Sequence, residues 1–204
     1  GWDGAGNLVS VTDPEGRGTR YEYDDAGRLV AEINGVGDRT EYEYDEEGRR
    51  TAMIDARGER YEYAYDDAGR LVRETNRLGA TQRYRYDDVG NRIEMEDFNG
   101  STTEYEYDEV GRLASIAYED GVVHSYEYDA AGNMTFAAND IRQYEYTYDE
   151  LNRLVQSSDV DLGRTVEYEY DAEGRRTLVA WQDIDRETRY TYGAAGELQT
   201  VTDP

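Results

Sequence analysis

The sequence predicts an all-β protein made of tandem β-hairpin repeats that form one continuous, antiparallel and curled sheet. The motif Tyr-x-Tyr-Asp-x-x-Gly-Arg-Leu, first complete at residues 21–29, recurs about every 21 residues along the chain. Within each copy, aromatic and charged residues alternate, and a glycine follows the aspartate at turn spacing. A fixed period in this range indicates a repeat architecture, which overrides the one or two ordinary domains that 204 residues would suggest.

Each repeat begins with a predicted strand that carries a pair of tyrosines. In the first complete copy, Tyr21 and Tyr23 alternate with Arg20 and Glu22. Alternation with period two is typical of a half-buried β-strand. Successive repeats would stack these pairs into two tyrosine ladders along the sheet. The ladder residues on which we base this prediction are Tyr21, Tyr23, Tyr42, Tyr44, Tyr105, Tyr107, Tyr126 and Tyr128.

A tight turn is predicted after the tyrosine strand. Aspartate at the first position of a type I turn bonds the amides of the turn, and glycine at the fourth position supplies positive φ for a three-residue loop with a G1 bulge. One copy has Asn152 in place of the glycine, and Asn tolerates positive φ next best. We therefore expect Asn152→Gly to be neutral or mildly stabilising. The predicted structural turn residues are Asp24, Gly27, Asp45, Gly48, Asp66, Gly69, Asp108, Gly111 and Asn152.

A second strand and a return turn complete the repeat. In the first copy, Leu29, Ala31 and Ile33 are expected to share one face and to pack beside the tyrosines of the neighbouring strand. The return turns contain Asp or Asn with Gly, as at residues 13–16, 34–37 and 55–58, and such pairs are strong hairpin signals. Chained repeats give a meander of about nineteen strands, which must twist or curl.

The whole chain, residues 1–204, is predicted to be a single repeat array of about nine full repeats with partial units at both ends. Residues 2–14 align with residues 192–204, so the two ends lie at the same phase of the repeat. This pattern favours a piece of a longer protein. Because edge strands carry unpaired backbone groups, the expected partners are flanking repeats of the parent chain or further copies of this chain.

The composition excludes several classes of function. The net charge is −25, and all 22 basic residues are arginine. No basic stripe exists for nucleic acid or anionic lipid, and no apolar run is long enough for membrane insertion. The acidity is consistent with a solvated outer face, with life at high salt, or with a genome that favours arginine codons.

No residue pattern predicts catalysis, a cofactor or a bound metal. His124 is the sole histidine and cysteine is absent, which excludes a zinc site of Cys and His ligands. The aspartate column could suggest calcium, but the turn itself explains each aspartate. Trp181, predicted at a return turn, is the one candidate contact for carbohydrate or a partner, although tryptophan at such a position more often covers the end of a sheet or packs on a neighbouring loop.

The motif Tyr-x-Tyr-Asp-x-x-Gly-Arg-Leu, followed after about ten residues by x-Asp-x-x-Gly-x-Thr, resembles the YD repeat of the rearrangement-hotspot (RHS) family over the whole chain. The resemblance implies a β-strip that spirals into a hollow shell and encloses a toxin domain or supports a surface protein. The family includes bacterial polymorphic toxins, Tc toxin complexes and wall-associated proteins, and the animal teneurins are similar. The family's self-cleaving core motif and a toxin domain have no counterpart in these residues.

Two hypotheses therefore stand from the sequence. The first is a non-catalytic structural segment of an RHS-type shell or fibre, secreted or at the cell surface as the resemblance implies. The second is a repeat module that binds carbohydrate or a protein partner through the flat rings of the tyrosine ladders and Trp181. No feature of the sequence supports an enzyme.

Overall fold

A computed structural model describes residues 1–203, in which every regular element is a β-strand. The chain divides into two compact units, Gly1–Thr102 and Thr103–Pro204. Both units are antiparallel meanders, since each strand pairs with the next one along the chain. The predicted all-β class and the antiparallel hairpin repeat are confirmed.

Unit 1 contains nine strands. They are β1 (Ser10–Thr12), β2 (Gly18–Tyr23), β3 (Leu29–Ile33), β4 (Arg39–Tyr44), β5 (Arg50–Ile54), β6 (Arg60–Tyr65), β7 (Leu71–Thr75), β8 (Thr81–Tyr86) and β9 (Arg92–Glu96). Even-numbered strands carry the tyrosine pairs, and odd-numbered strands are the return strands.

Unit 2 continues the same alternation. Its strands are β10 (Thr102–Tyr107), β11 (Leu113–Tyr118), β12 (Val123–Tyr128), β13 (Met134–Ala138), β14 (Gln143–Tyr148), β15 (Leu154–Asp159), β16 (Arg164–Tyr170), β17 (Arg176–Trp181), β18 (Arg186–Tyr192) and β19 (Leu198–Thr202). None of the described elements is a helix of the length and apolar character needed to cross a membrane.

Besides the G1 bulge predicted at the turn glycine, the tyrosine hairpins from β2 to β19 each contain an extra residue in the return strand, which the sequence pattern did not predict. Tyr23 pairs with Leu29 but Glu22 pairs with Ala31, so Val30 has no partner across the ladder. The same shift recurs in the other tyrosine hairpins, for example between β4 and β5 and between β16 and β17. Because side chains alternate between faces, the bulge separates Leu29 from Ala31. The prediction that Leu29, Ala31 and Ile33 share one face is therefore wrong.

The sheet buries small residues on the face opposite the tyrosines. Ala31 pairs with Glu22 on one side and Glu41 on the other, and its exposed fraction is 0%. Arg39 forms ion pairs of 2.8 Å with Glu22 and 2.6 Å with Glu41, and so bridges the two strands that flank Ala31. The arrangement recurs one repeat later with Ala52, Arg60, Glu43 and Glu62.

The return turns vary in length, whereas the turns after the tyrosine strands do not. Most return turns resemble Asp55–Gly58, in which the Gly58 N–H donates to the Asp55 carbonyl oxygen at 2.8 Å. The turn at residues 139–142 is shorter, since the Asn139 N–H donates to the Arg142 carbonyl oxygen. Residues 160–163 and 182–185 form loops of four residues, one more than the three residues enclosed by the bond from the Asp55 N–H to the Glu59 carbonyl oxygen. Length variation is thus confined to one side of the repeat.

Candidate functional site

The turn after each tyrosine strand is organised by one aspartate carboxylate. Oδ1 of Asp66 accepts the backbone N–H groups of Ala68 at 3.0 Å and Arg70 at 2.9 Å. The Gly69 N–H donates to the Asp66 carbonyl oxygen at 2.9 Å, and φ of Gly69 is +80°. The fourth turn position also has positive φ at the other predicted residues: +76° at Gly27, +83° at Gly48, +82° at Gly111 and +59° at Asn152.

The arginine after the turn joins its own repeat to the next one. Nε of Arg70 donates to Oδ2 of Asp66 at 2.7 Å, and Nη1 donates to the carbonyl oxygen of Asp87 in the following turn at 2.9 Å. The guanidinium carbon lies 4.9 Å from the ring centroid of Tyr86, within the range of a cation–π contact. The chain therefore uses one side chain for an ion pair, a hydrogen bond and a stacking contact.

The second tyrosine of each pair returns the contact. The hydroxyl of Tyr86 donates to the carbonyl oxygen of Leu71, in the preceding repeat, at 2.8 Å. We call this set of four contacts the arginine link. It consists of the bonds from Arg70 to Asp66 and Asp87, the cation–π contact of Arg70 with Tyr86, and the bond from Tyr86 to Leu71. Among residues 1–203, the arginines seen to make it in full are Arg28, Arg49, Arg70, Arg112 and Arg153.

The turn aspartates remain charged in this setting. The hydrogen bond from the Arg70 backbone N–H, assisted by the Arg70 guanidinium, holds the pKa of Asp66 below its ordinary value of 3.8, although partial burial acts in the opposite direction. The carboxylate of Asp45 correspondingly raises the pKa of Arg49. The carboxylate of Asp66 and the guanidinium of Arg49 are therefore ionised at neutral pH.

The first tyrosine of each pair lies half-buried on the same face. Arg50 occupies a position that is leucine in several other copies. Its guanidinium lies 5.8 Å from the ring of Tyr42 and 4.8 Å from the ring of Tyr63. Tyr84 donates its hydroxyl to Glu74 at 2.8 Å, and burial together with this bond raises the pKa of Tyr84 to about 12. The ladder rings thus contact neighbouring side chains on the sheet.

The remaining predicted ladder residues follow the same scheme. Tyr23, Tyr44 and Tyr128 donate their hydroxyls to carbonyl oxygens of the preceding repeat, at 2.9, 2.7 and 3.0 Å. The other ladder residues are half-buried in their strands: Tyr21, Tyr42, Tyr105, Tyr107 and Tyr126. Burial raises the pKa of Tyr126.

Trp181 lies at the end of β17 and not in the return turn where the sequence placed it. It pairs with Arg186 across the ladder and with Val166 on its other side, and the Arg186 guanidinium lies 5.9 Å from the indole ring. The side chain is half-buried. His124 is also half-buried in a strand and meets the Tyr118 ring edge-on at 5.3 Å.

Several copies depart from the arginine link. Asn7, Asn91 and Asn133 replace the arginine, and each donates Nδ2 to Oδ2 of its own turn aspartate at 2.9 Å. In the last copy Gly193 replaces the aspartate, and the Glu197 carboxylate lies where a side chain on Gly193 would extend. In this turn the carboxylate therefore belongs to the fifth residue, Glu197, instead of the first.

Sequence reasoning identified the turn aspartates and glycines but missed the arginine link. The signal available was the Gly-Arg dipeptide that follows the turn in most copies. Among residues 1–203, no cluster of three or more His, Cys, Asp or Glu side chains is arranged to hold a metal ion.

Comparisons with known proteins point to one kind of repeat. The family model described as Teneurin YD-shell matches residues 50–203, and the model described as RHS Repeat matches residues 2–39 and 29–60. The crystal structure of TcdB2-TccC3-Cdc42 is similar with a TM-score of 0.71 and 22% identity, over 93% of this chain and 12% of that one. The structure of the Photorhabdus luminescens Tc holotoxin pore is similar with a TM-score of 0.68 and 20% identity, over 97% of this chain and 14% of that one. No curated protein sequence matches.

Proposed function

The chain belongs to the Teneurin YD-shell family, and from this membership we propose that it is a non-catalytic structural segment of an RHS-type shell or extracellular fibre. In that role it would enclose a toxin domain or support a surface protein. The observation that carries the proposal is the arginine link, which fastens one hairpin to the next at five junctions through the same side chains. A wall built of successive hairpins needs contacts of this kind between its repeats.

The partners and location follow from the same proposal. The terminal strands would pair with flanking repeats of a longer chain or with further copies of this chain, because an edge strand carries unpaired amides and carbonyls. The chain spans 12% and 14% of the two similar structures described above, so the rest of a parent protein would supply the cargo. A toxin complex and a teneurin-like shell both favour a secreted or cell-surface protein.

The proposal is tested with the full-length product of the gene that encodes this chain. Limited proteolysis, followed by mass spectrometry of the fragments, should find a protected segment outside residues 1–204 in the native protein. Replacing Arg28, Arg49 and Arg70 together by methionine should loosen the wall and make that segment cleavable. The matched control replaces arginines that make no link, such as Arg57 at a return-turn tip, and should leave the protection intact.

A second measurement separates a wall from a binding module. The 204-residue chain is applied to an array of glycans, with Trp181→Ala as the comparison. A structural segment should give no saturable binding. Saturable binding of one glycan class that Trp181→Ala abolishes would overturn the proposal in favour of carbohydrate recognition.

A further inference from the structure

The junction between β13 and β14 lacks the arginine but retains a contact between the repeats. Asn133 stands at the arginine position, and its side-chain amide nitrogen Nδ2 has two hydrogens to donate. Nδ2 lies 2.9 Å from Oδ2 of Asp129 in its own turn and 2.9 Å from Oδ1 of Asn152 in the next turn. Both donors of one side chain are therefore satisfied, one on each side of the junction.

The acceptor exists because the same junction departs from the motif a second time. Asn152 occupies the position that is glycine in the other copies, and its φ of +59° lies in the region that glycine adopts most easily. A glycine has no side-chain oxygen and could not accept a bond from Asn133. The two departures from the repeat pattern, 19 positions apart, therefore meet in one hydrogen bond.

The shorter return turn at this junction does not by itself explain the loss of the arginine. The turn at residues 139–142 is shorter than those elsewhere, as the bond between Asn139 and Arg142 shows. Arg153 makes a complete arginine link across a longer return turn, with Nη1 reaching the carbonyl oxygen of Asp171 at 3.2 Å. The arginine link thus tolerates at least one change in return-turn length.

We propose that Asn133 and Asn152 form a substitute link, which fastens these two repeats less strongly than arginine does and makes this junction open before the β11–β12 and β15–β16 junctions on either side of it. A bond between two neutral amides is weaker than one that a guanidinium donates, and asparagine offers no cation to the ring of Tyr148. The hydroxyl of Tyr148 still donates to the carbonyl oxygen of Met134 at 2.9 Å, so the return contact remains. The proposal does not depend on what the strip encloses.

A double-mutant cycle measures the bond. The four proteins are the wild type, Asn133→Ala, Asn152→Gly and the double variant, each unfolded in urea. Relief of positive φ favours Asn152→Gly, but the cycle removes this contribution because it is present in both backgrounds. We expect a coupling of roughly threefold to tenfold in the unfolding equilibrium constant, the range for a neutral hydrogen bond. Additive effects would overturn the proposal.

The amide protons of Asn133 provide a readout that a general loss of stability would not change. In NMR spectra, one side-chain N–H of Asn133 should exchange slowly in the wild type and rapidly in Asn152→Gly. Asn152→Asp retains the acceptor and tolerates positive φ, so in 1 M salt it should preserve the slow exchange. Equal exchange rates in the wild type and Asn152→Gly would contradict the link.

The weaker junction is tested by backbone hydrogen exchange within unit 2. Amides that join β13 to β14 should exchange faster than those joining β11 to β12 or β15 to β16, which Arg112 and Arg153 fasten. The double variant Asn133→Arg with Asn152→Gly restores the motif of the other copies and should slow the β13–β14 amides to the rate of their neighbours. Uniform protection across the three junctions of the wild type would overturn this part.

Asn7 supplies a matched control in unit 1. It makes the same bond to its own turn aspartate, Asp3, at 2.9 Å, but faces Gly27 in the next turn, which has no acceptor side chain. A side chain on Gly27 would begin 3.8 Å from Oδ1 of Asn7. Asn7→Ala should therefore cost less stability than Asn133→Ala, and an equal cost would count against the link.

Discussion

A single aspartate does two tasks at each linked turn, one with each carboxylate oxygen. Oδ1 of Asp66 holds the turn amides and Oδ2 holds the arginine. In return turns that carry no arginine link, asparagine serves the first task, as Asn34 and Asn76 accept turn amides through Oδ1. After the tyrosine strand the second oxygen of the aspartate is also used, by arginine in the linked copies and by asparagine in copies such as those of Asp87 and Asp129.

The variant Asp66→Asn separates the two tasks. It keeps the Oδ1 acceptor and loses the charge that the arginine requires. Because the folded pKa of Asp66 lies below 3.8, its ionised form contributes stability above that pH and loses it as the pH falls through the folded value. In 1 M salt, urea unfolding should find the wild type more stable at about pH 6, and the difference should shrink as the pH falls below 3.8. A difference that stays constant with pH would contradict the ionic role.

Loss of an arginine link should cost more than loss of an arginine charge. Arg70→Met removes the charged hydrogen bonds and the contact with Tyr86, and after allowance for its partial exposure we expect a loss of about 1–2 kcal/mol. Arg57→Met removes the same charge from an exposed turn tip and should change stability by less than about 0.5 kcal/mol. Equal unfolding free energies in urea would remove the link from the account.

At the level of the strand pair, the sequence predicted the turn with its G1 bulge, but not the extra residue in the return strand that follows. Gly27 and its equivalents predict a turn because few other residues readily adopt positive φ. The bulge depends on which residues face each other across the ladder, and local periodicity does not contain that information. The signal was the pair Leu29-Val30, two consecutive apolar residues that interrupt strict alternation. A β-branched residue fills the unpaired position in many copies: Val30, Thr51, Val72, Ile93, Thr135, Val155 and Thr177.

Deleting a paired strand residue should be far more damaging than deleting the unpaired bulge residue. Without Thr51, Tyr44 still faces Arg50 and Glu43 still faces Ala52, so the residues of β5 keep their faces and only the bulge is lost. Without Glu43, the residues that precede it in β4 would change faces, and Ala52 would lose its partner. We expect the second deletion to cost about 4 kcal/mol or more, the size seen when a core arrangement is broken, and the first to cost much less. Circular dichroism melts of the two deletions compare them directly.

Across the chain, acidity opposes the compact state. The net charge is −25, and ion pairs such as Arg39 with Glu22 in unit 1 offset part of the repulsion between carboxylates. Raising the salt from 0.1 M to 1 M shortens the Debye length from about 10 Å to about 3 Å, which screens the remaining repulsion more than it weakens close pairs. The melting temperature should therefore rise between these concentrations. A flat or falling melting temperature would show that repulsion is a minor factor.

The sequence predicted the class of protein, but it did not predict the arginine link that joins successive repeats. Repetition of one motif established the hairpin array, since a local pattern repeated nine or so times outweighs any single ambiguous copy. The contacts of Arg70 with Asp87 and Tyr86 span 17 and 16 positions and depend on the register of two intervening strands. Such a contact is fixed only after the strands are paired, so the residue pattern alone could suggest Arg70 but not its partners.

The most direct test of the structural role is electron cryo-microscopy of the full-length gene product. We expect residues 1–203 to form part of the wall of a hollow shell or the shaft of a fibre, with consecutive hairpins joined by arginine links and with both terminal strands paired to further repeats. Residues 1–204 seen as a separate domain that projects from the particle, with unpaired terminal strands and a ligand on the tyrosine rings, would contradict the account.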